Sequence, residues 1–166
     1  MDAERRLFIR FAEMGIAHET VEHEPTHTVE QSRHLAESLP GGRSKSLLLT
    51  DKDERLTLVT ALGSNRADLK VIGEAVGSRG RLSFAKEQTM IDVLGVAPGH
   101  LTPFALINDE AQRISTIVLD EDLFREDPVW AHPLRNTAST AISRDGLLRF
   151  AKLHAKHVIT LALAQG

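Results

Sequence analysis

Two apolar runs joined by a short polar turn constrain the fold of this chain more than any other sequence feature. Residues 45–50 (KSLLLT) and 55–62 (RLTLVTAL) are rich in leucine, valine and threonine, and residues 51–54 (DKDE) separate them. This pattern is typical of a β-hairpin whose two strands contribute apolar side chains to one core. The chain is therefore predicted to contain an antiparallel sheet element.

Helix and strand signals alternate along the rest of the chain. Helices are predicted where apolar residues recur at helical spacing beside cap residues or closing glycines: between Asp2 and Gly15, from Thr28 to Leu39, between Asp68 and Gly77, around Met90–Leu94 before Gly95, and after Ser143. Further strands are predicted over residues 17–24, 81–85, 104–107, 114–119, 129–134, 137–142 and 158–163. Single helices among hairpins favour an α+β fold, with a mixed, mostly antiparallel sheet or partial barrel flanked by helices.

Size and composition exclude several classes of protein. The 166 residues, of which 42% are apolar, are enough for one domain spanning residues 1–166. The absence of cysteine excludes disulfide scaffolds, thiolate zinc sites and cysteine nucleophiles. No segment approaches the roughly 20 apolar residues of a membrane span. We therefore expect a soluble, cytoplasmic protein without a membrane partner.

Sequence motifs for several common chemistries are missing. The chain has no phosphate-binding loop of the GxxxxGK[ST] type, no GxGxxG, no GxSxG and no HExxH. His154 and His157 could share a metal ion only if a third ligand came from elsewhere, and a histidine at a helix C-terminus is favoured by the helix dipole in any case. We expect neither a metal ion nor another cofactor.

The charges are unevenly distributed along the chain. Lys and Arg number 20 against 23 Asp and Glu, a formal net charge of −3, so a wholly basic nucleic-acid binder is not indicated. Residues 43–86 nevertheless hold nine Lys and Arg against five acids, whereas residues 1–37 hold four against eight. The middle of the chain is where a phosphate backbone would bind, although a solvated surface gives the same pattern.

Three features could carry chemistry, and each also has a structural interpretation. Lys45 opens an apolar strand, where its ammonium could reach solvent or stand at the mouth of a pocket and pair with a phosphate or carbonyl oxygen. Residues 95–103 (GVAPGHLTP) predict a rigid loop that either connects two elements or brings N–H groups to a ligand. His132, before Pro133, could be a buried structural residue or part of a site.

Together these features resemble the YbaK/ProX family, the free-standing relatives of the editing insertion in bacterial prolyl-tRNA synthetases. The resemblance is carried by K-x-L-x-L at residues 45–49, LGxxPGxxxPF at residues 94–104 and HPxxNxxxT at residues 132–140, and it covers nearly the whole chain. The third motif places the chain nearest the alanyl-specific trans-editing branch. In one departure, Ser46 stands where many relatives have asparagine after the lysine.

The resemblance implies hydrolysis of a mischarged aminoacyl-tRNA, namely alanine esterified to proline-specific tRNA. A pocket too small for the pyrrolidine ring would spare Pro-tRNA(Pro), as in the second sieve of a double-sieve scheme. Because the ester is already activated, the protein need only hold the carbonyl, place a water or the ribose hydroxyl, and stabilise the oxyanion. The implied partner is the acceptor stem and 3′ end of the proline isoacceptor, and a prolyl-tRNA synthetase is a candidate second partner. DNA is not expected.

The same resemblance assigns roles to individual residues. Lys45 would contact the terminal nucleotide or the scissile carbonyl. The aminoacyl-binding wall would include Gly95, Pro98, Gly99, His100 and Pro103, and His132 and Asn136 would line the opposite side. Asn65, with Asp68, could contact the ribose or cap a helix, and Lys70, Arg79 and Arg81 are candidates for binding the stem.

Other functions fit the same residues. A site of this kind could act on Cys-tRNA(Pro) or Ser-tRNA, since small side chains differ by only about 1–3 kcal/mol in an apolar pocket. A non-catalytic nucleic-acid-binding module is permitted by the basic middle segment, but the aromatic content of 4% and the negative net charge count against it. A metal-dependent hydrolase built on the histidines is a third alternative.

Overall fold

The computed structural model describes residues 2–25 and 39–163, which form a mixed sheet flanked by helices. In chain order the elements are α1 (Ala3–Met14), β1 (Glu19–Glu22), β2 (Gly42–Thr50), β3 (Leu56–Leu62), α2 (Leu69–Val76), β4 (Ser83–Phe84), α3 (Glu87–Leu94), a 3-10 helix (Pro103–Asn108), β5 (Ile114–Asp120), a second 3-10 helix (Glu121–Arg125), β6 (Val129–Ala131), β7 (Ala138–Ile142), α4 (Arg144–His154) and β8 (His157–Leu161).

Local capping chemistry explains where the helices begin and end. The carboxylate of Asp2 accepts a hydrogen bond from the Arg5 N–H at the start of α1, and Gly15 ends that helix in the left-handed conformation, with φ of 68°. Asp68 caps α2 in the same way, and the Ser143 hydroxyl accepts from the Gly146 N–H at the start of α4. The helix boundaries predicted from these residues are confirmed.

The sheet has the strand order β1-β7-β6-β2-β3-β5-β8, with β4 added to β2. The predicted hairpin is confirmed, since β2 and β3 pair antiparallel from Ser44 opposite Leu62 to Thr50 opposite Leu56. The pairs β1–β7, β6–β7 and β2–β4 are also antiparallel, whereas β2–β6, β3–β5 and β5–β8 are parallel. The described residues thus form the α+β fold predicted from the sequence, with a mixed sheet that does not close into a barrel.

Some predicted elements differ from the structure. The strand predicted over residues 104–107 is wrong, because Pro103–Asn108 is a 3-10 helix in which Thr102 accepts from the Phe104 N–H. Proline at the first helical position fixes a helical φ, and so short an apolar run does not distinguish a strand from a helix. The strand predicted over 129–134 ends at Ala131, before Pro133. The helix predicted from Thr28 lies outside the described residues except for Leu39.

Apolar side chains cover both faces of the sheet, because successive residues of a strand point to opposite faces. On one face Phe11 of α1, Phe104 of the first 3-10 helix and Phe150 of α4 pack edge to face, with ring centroids 5.3–5.8 Å apart. Leu58 belongs to this larger cluster. Its neighbour Val59 belongs to a smaller cluster on the other face, under α2.

Candidate active site

A gap beside β2 marks the candidate site. On the edge away from β3, β2 pairs with β6 at Gly42 and Arg43 and with β4 at Leu49 and Thr50. Between these two contacts, residues 44–47 pair with no other described strand on that edge, and the carbonyl of Leu48 accepts a hydrogen bond from the Ala85 N–H at 2.9 Å. The neighbouring strands therefore hold both ends of this edge while its middle stays open to a ligand.

A cavity of about 430 Å³ lies at this gap, and we call it the Lys45 cavity. It is lined from β2 (residues 43–48), from β4 and the start of α3 (Phe84, Ala85, Glu87 and Met90), from the glycine–proline loop (Pro98, Gly99 and Leu101), and from the end of β6 (Ala131 and His132). Four segments thus meet around one cavity, and three of them contribute residues singled out from the sequence: β2, the glycine–proline loop and the end of β6.

Lys45 brings an exposed ammonium group to the cavity. It lies in β2 opposite Ala61 of β3, and its side chain makes no hydrogen bond or ion pair within the described part of the chain. Because no described carboxylate neutralises it, the ammonium is available to a phosphate or a carbonyl oxygen of a ligand.

His132 contributes a neutral imidazole with a defined tautomer. Its Nδ1 lies 2.9 Å from the carbonyl oxygen of Ala138, which can only accept, so Nδ1 carries the proton and Nε2 has a free lone pair. Burial lowers the pKa of His132 below its ordinary value, and the charges of Arg43, His23 and His100 lower it further, outweighing the opposing effect of the Ala138 hydrogen bond. At neutral pH the ring can therefore accept a proton.

The glycine–proline loop presents backbone to the cavity at Gly99. Pro98 has no N–H, and the N–H of His100 is donated to the carbonyl of Ala97 at 3.0 Å. The Gly99 N–H has no acceptor among the described residues. Asn136 lies alongside, since its Nδ2 would be 3.9 Å from a Cβ on Gly99. This turn therefore offers one backbone donor to a bound group.

Three of the five predicted wall residues, Gly95, His100 and Pro103, do not line the cavity, and neither does Asn136. Gly95 ends α3 with φ of 66°, and a Cβ there would lie 3.1 Å from the amide nitrogen of Asn108. Its conformation and this close approach both require glycine, so the structure gives it a role in the fold. Pro103 is buried at the start of the 3-10 helix, where it fixes the end of the loop.

The four candidates for ribose and stem binding lie away from the Lys45 cavity. The amide of Asn65 donates to Asp120 at 2.8 Å and to Asp122 at 2.7 Å, so it ties the end of β3 to β5. Arg79 is exposed and lies 3.6 Å from Asp53. The remaining two, Lys70 and Arg81, line a separate cavity of about 780 Å³ beside α2. Their contacts with tRNA stay a prediction.

The structure also reveals cavity residues that were not singled out as site residues from the sequence. Arg43 is partly buried, and burial lowers the pKa of its guanidinium, which stays charged. Glu87 supplies the single carboxylate of the described lining. Arg43 lies two residues before Lys45 in the sequence, and this position was a usable signal. Glu87 had none, because an acid in the first turn of a helix is ordinary.

Metal ligation and membrane insertion find no support in the described residues. No group of three or more His, Asp or Glu is placed there to hold a metal ion, and His154 and His157 fall in different elements, α4 and β8. None of the described helices is both long and apolar enough to cross a membrane.

Comparison with known proteins identifies the family. The family model for the aminoacyl-tRNA editing domain matches residues 23–150. The prolyl-tRNA editing protein ProX of Acetoanaerobium sticklandii is 30% identical over 153 residues, which is 92% of each chain. The prolyl-tRNA synthetase associated domain-containing protein 1 of Bos taurus is 34% identical over 147 residues, covering 86% of this chain and 85% of the relative.

A solved structure shows the same fold over the whole chain. A protein described as a candidate trans-editing enzyme for prolyl-tRNA synthetase superposes with a TM-score of 0.75 at 23% identity, covering 100% of this chain and 99% of the other. The resemblance to YbaK/ProX proteins that the three sequence motifs indicated is confirmed. The chain belongs to the aminoacyl-tRNA editing domain family, whose activity is the deacylation of aminoacyl-tRNA.

Proposed function

We propose that this protein hydrolyses the ester of mischarged Ala-tRNA(Pro) and spares correctly charged Pro-tRNA(Pro). The observation that carries the proposal is the meeting of Lys45, Gly99 and His132 around one cavity. The relatives named for prolyl-tRNA editing support the tRNA identity. The substrate is a product of translation chemistry, so the proposed location is the cytoplasm.

In the proposed mechanism, Lys45 and Gly99 act on the ester carbonyl. The carbonyl oxygen becomes negatively charged as water attacks, and preorganised donors stabilise that charge without reorganisation. The ammonium of Lys45 and the N–H of Gly99 both belong to the lining and have no acceptor among the described residues. We assign them to the oxyanion.

His132 is assigned the role of general base. As a water molecule attacks the ester carbon, one of its protons passes to Nε2. Collapse of the tetrahedral intermediate breaks the bond between the acyl carbon and the ribose oxygen, and the proton returns from Nε2 to that oxygen. The hydrogen bond from Nδ1 to Ala138 holds the ring in the required tautomer throughout.

Glu87 is assigned to the amino group of the substrate. An aminoacyl ester carries an α-ammonium beside the reacting carbonyl, and a carboxylate is its natural partner. Arg43, Lys45 and His132 supply the cationic and basic groups of the cavity, and Glu87 supplies the acidic group of its described lining. The acyl group would lie between them, with its ammonium toward Glu87.

The sieve is assigned to the apolar end of the cavity, lined by Leu48, Ala85, Met90 and Leu101. These side chains belong to the larger core cluster or pack against it, so they are held in place. The whole cavity of about 430 Å³ has room for a ribose as well as an acyl group. Exclusion of the pyrrolidine ring therefore depends on this end and not on the total volume.

Phosphates of the acceptor stem are assigned to the exposed cations Lys70, Arg79 and Arg81. Binding through phosphate contacts weakens as salt rises, because counterions are released on association. We therefore expect KM, and not kcat, to rise with ionic strength.

A panel of esters on the proline isoacceptor tests the proposal. Purified protein is mixed with Ala-, Cys-, Ser- and Pro-tRNA(Pro), and release of free amino acid is followed. We expect Ala-tRNA(Pro) to react at least about 10-fold faster than Pro-tRNA(Pro). This factor is the lower end of the discrimination that a pocket gains from a small difference in side-chain size. Fastest release of cysteine or serine would favour the related deacylases, and binding of tRNA without hydrolysis would favour a binding module. Loss of activity with a chelator would favour a metal-dependent hydrolase.

A further inference from the structure

One of the seven Phe and Trp side chains is exposed, and the others are buried or partly buried. The chain has six Phe and one Trp and no Tyr, and all of them lie within the described residues. Phe84 is 64% exposed, whereas the other six are buried or partly buried. A large apolar ring in water forgoes the burial that drives folding, so its exposure is informative.

The sheet itself does not require this ring. Phe84 lies in β4, which is two residues long, pairs with β2 alone and has both residues exposed. The apolar residues packed on the nearby face of β2 belong to clusters that do not include Phe84. The fold therefore places a phenyl ring at the surface without using it in a core.

The ring lines the Lys45 cavity. Phe84 and its neighbour Ala85 line the cavity, together with Lys45 and Glu87. Because Phe84 and Lys45 are both exposed, the phenyl ring and the ammonium lie at the open side and not at the apolar floor. An aromatic platform therefore stands at the entrance to the candidate active site.

We propose that Phe84 stacks on the terminal base at the 3′ end of the tRNA, an inference that rests on the proposed function. The terminal base is attached to the same ribose as the acyl group. When the acyl group occupies the cavity, this base therefore lies close to the entrance. Bases stack on aromatic side chains through faces that every base has, and this contact is worth about 1–3 kcal/mol per base. The exposed Lys86, two residues further along, adds positive charge for the adjoining phosphate.

This contact makes Phe84 a substrate-binding residue that does not take part in the chemical step. It touches the base, which is the same in the ground state and the transition state, so its loss should raise KM and leave kcat nearly unchanged. A side chain that shaped the catalytic groups would instead change kcat.

The test compares wild type, Phe84→Ala and Phe84→Trp on Ala-tRNA(Pro) that either ends in its normal adenosine or lacks the terminal base. With the normal substrate, Phe84→Ala should raise KM about 5- to 150-fold, the factor that corresponds to one base–aromatic stack. Phe84→Trp should keep KM within about threefold because its ring still stacks. On the abasic substrate, wild type and Phe84→Ala should have equal KM. Ile91→Ala removes a side chain that is 45% exposed on α3 and does not line the cavity, and it should change neither constant.

A KM for Phe84→Ala within twofold of wild type on the normal substrate would overturn the proposal, as would an equal effect on the abasic substrate. Binding of uncharged tRNA, measured in parallel, separates this inference from the proposed function. If the wild type binds tRNA but hydrolyses no ester, the proposed function fails, while weaker binding by Phe84→Ala still supports stacking. Equal binding by both proteins would contradict it.

Discussion

Large side chains are exposed at the Lys45 cavity and buried in the aromatic core that α1 and α4 help to form. In the core, Phe11, Phe104 and Phe150 are at most 1% exposed and pack edge to face. At the cavity, Phe84 is 64% exposed and Lys45 has no described partner. Groups already satisfied within the protein stabilise the fold, whereas unsatisfied groups are available to a ligand. Substitutions in the core should therefore change stability, and substitutions at the cavity should change activity.

The largest expected effect lies in the core. Phe150→Ala removes a ring in contact with both Phe11 and Phe104 and should lower the free energy of unfolding by about 3–5 kcal/mol. Urea denaturation measures it. Activity per folded molecule should be unchanged. A cost below about 1 kcal/mol would show that the core closes around the loss and would weaken the contrast between the two regions.

At the cavity, His132→Gln should lower activity and leave stability nearly unchanged. Loss of a general base typically costs at least about 100-fold in rate, so single-turnover deacylation should slow by that factor. The melting temperature should stay close to that of wild type. His157→Gln is the matched control, since this exposed histidine at the start of β8 does not line the cavity. Equal rates for the two variants would remove His132 from the mechanism.

A third substitution tests a framework carboxylate. Asp51 is buried in the β2–β3 turn, where it accepts hydrogen bonds from the backbone N–H groups of Asp53, Arg55 and Arg79 and from the Arg55 side chain. Burial raises its pKa, but these bonds outweigh burial and hold the pKa below the ordinary value. Asp51→Asn leaves a buried donor without its acceptor and should cost about 1–3 kcal/mol.

The pH dependence of that cost has a definite sign. Because the pKa of Asp51 is lowered in the folded state, the carboxylate stabilises the protein above the unfolded pKa. The difference between wild type and Asp51→Asn should therefore be full at pH 7 and shrink as the pH falls through the lowered value. Urea midpoints at both ends of this range measure it, and a difference that grows in acid would contradict the assignment.

The smallest expected effect is the pH dependence of the wild-type rate. His132 acts as the unprotonated base and its pKa lies below the ordinary value, so kcat/KM should rise with pH and level off near neutrality. With a pKa below 6.5, the rate should fall less than about fourfold between pH 7.5 and pH 6. A tenfold rise per pH unit through neutrality would instead indicate attack by free hydroxide.

Local signals explain which parts of the fold were predictable. The hairpin and the caps at Asp2, Asp68 and Ser143 depend on residues close in sequence, and all are confirmed. The parallel pairing of β2 with β6 joins Gly42 to Val129, and no local pattern specifies such a contact. The gap beside β2, and hence the cavity, follows from that pairing and could not be predicted.

The candidate site was predictable only in part, for the same reason. Lys45, Gly99 and His132 are far apart in sequence, and the resemblance to a family, not spacing, linked them. Phe84 and Glu87 carry no sequence signal, because an exposed residue follows no hydrophobic period. Only the three-dimensional arrangement shows that they share a cavity with Lys45.

The central claim is that the Lys45 cavity holds the acyl ester, and a non-hydrolysable ligand tests it most directly. We would titrate 3′-alanylamido-3′-deoxyadenosine into isotopically labelled protein and follow backbone amide chemical shifts. We expect changes at Ser46, Gly99 and Ala131, which line the Lys45 cavity, and none at Gln112 and Leu153, which line a cavity of about 510 Å³ beside α1 and α4. Changes confined to Gln112 and Leu153 would contradict this claim.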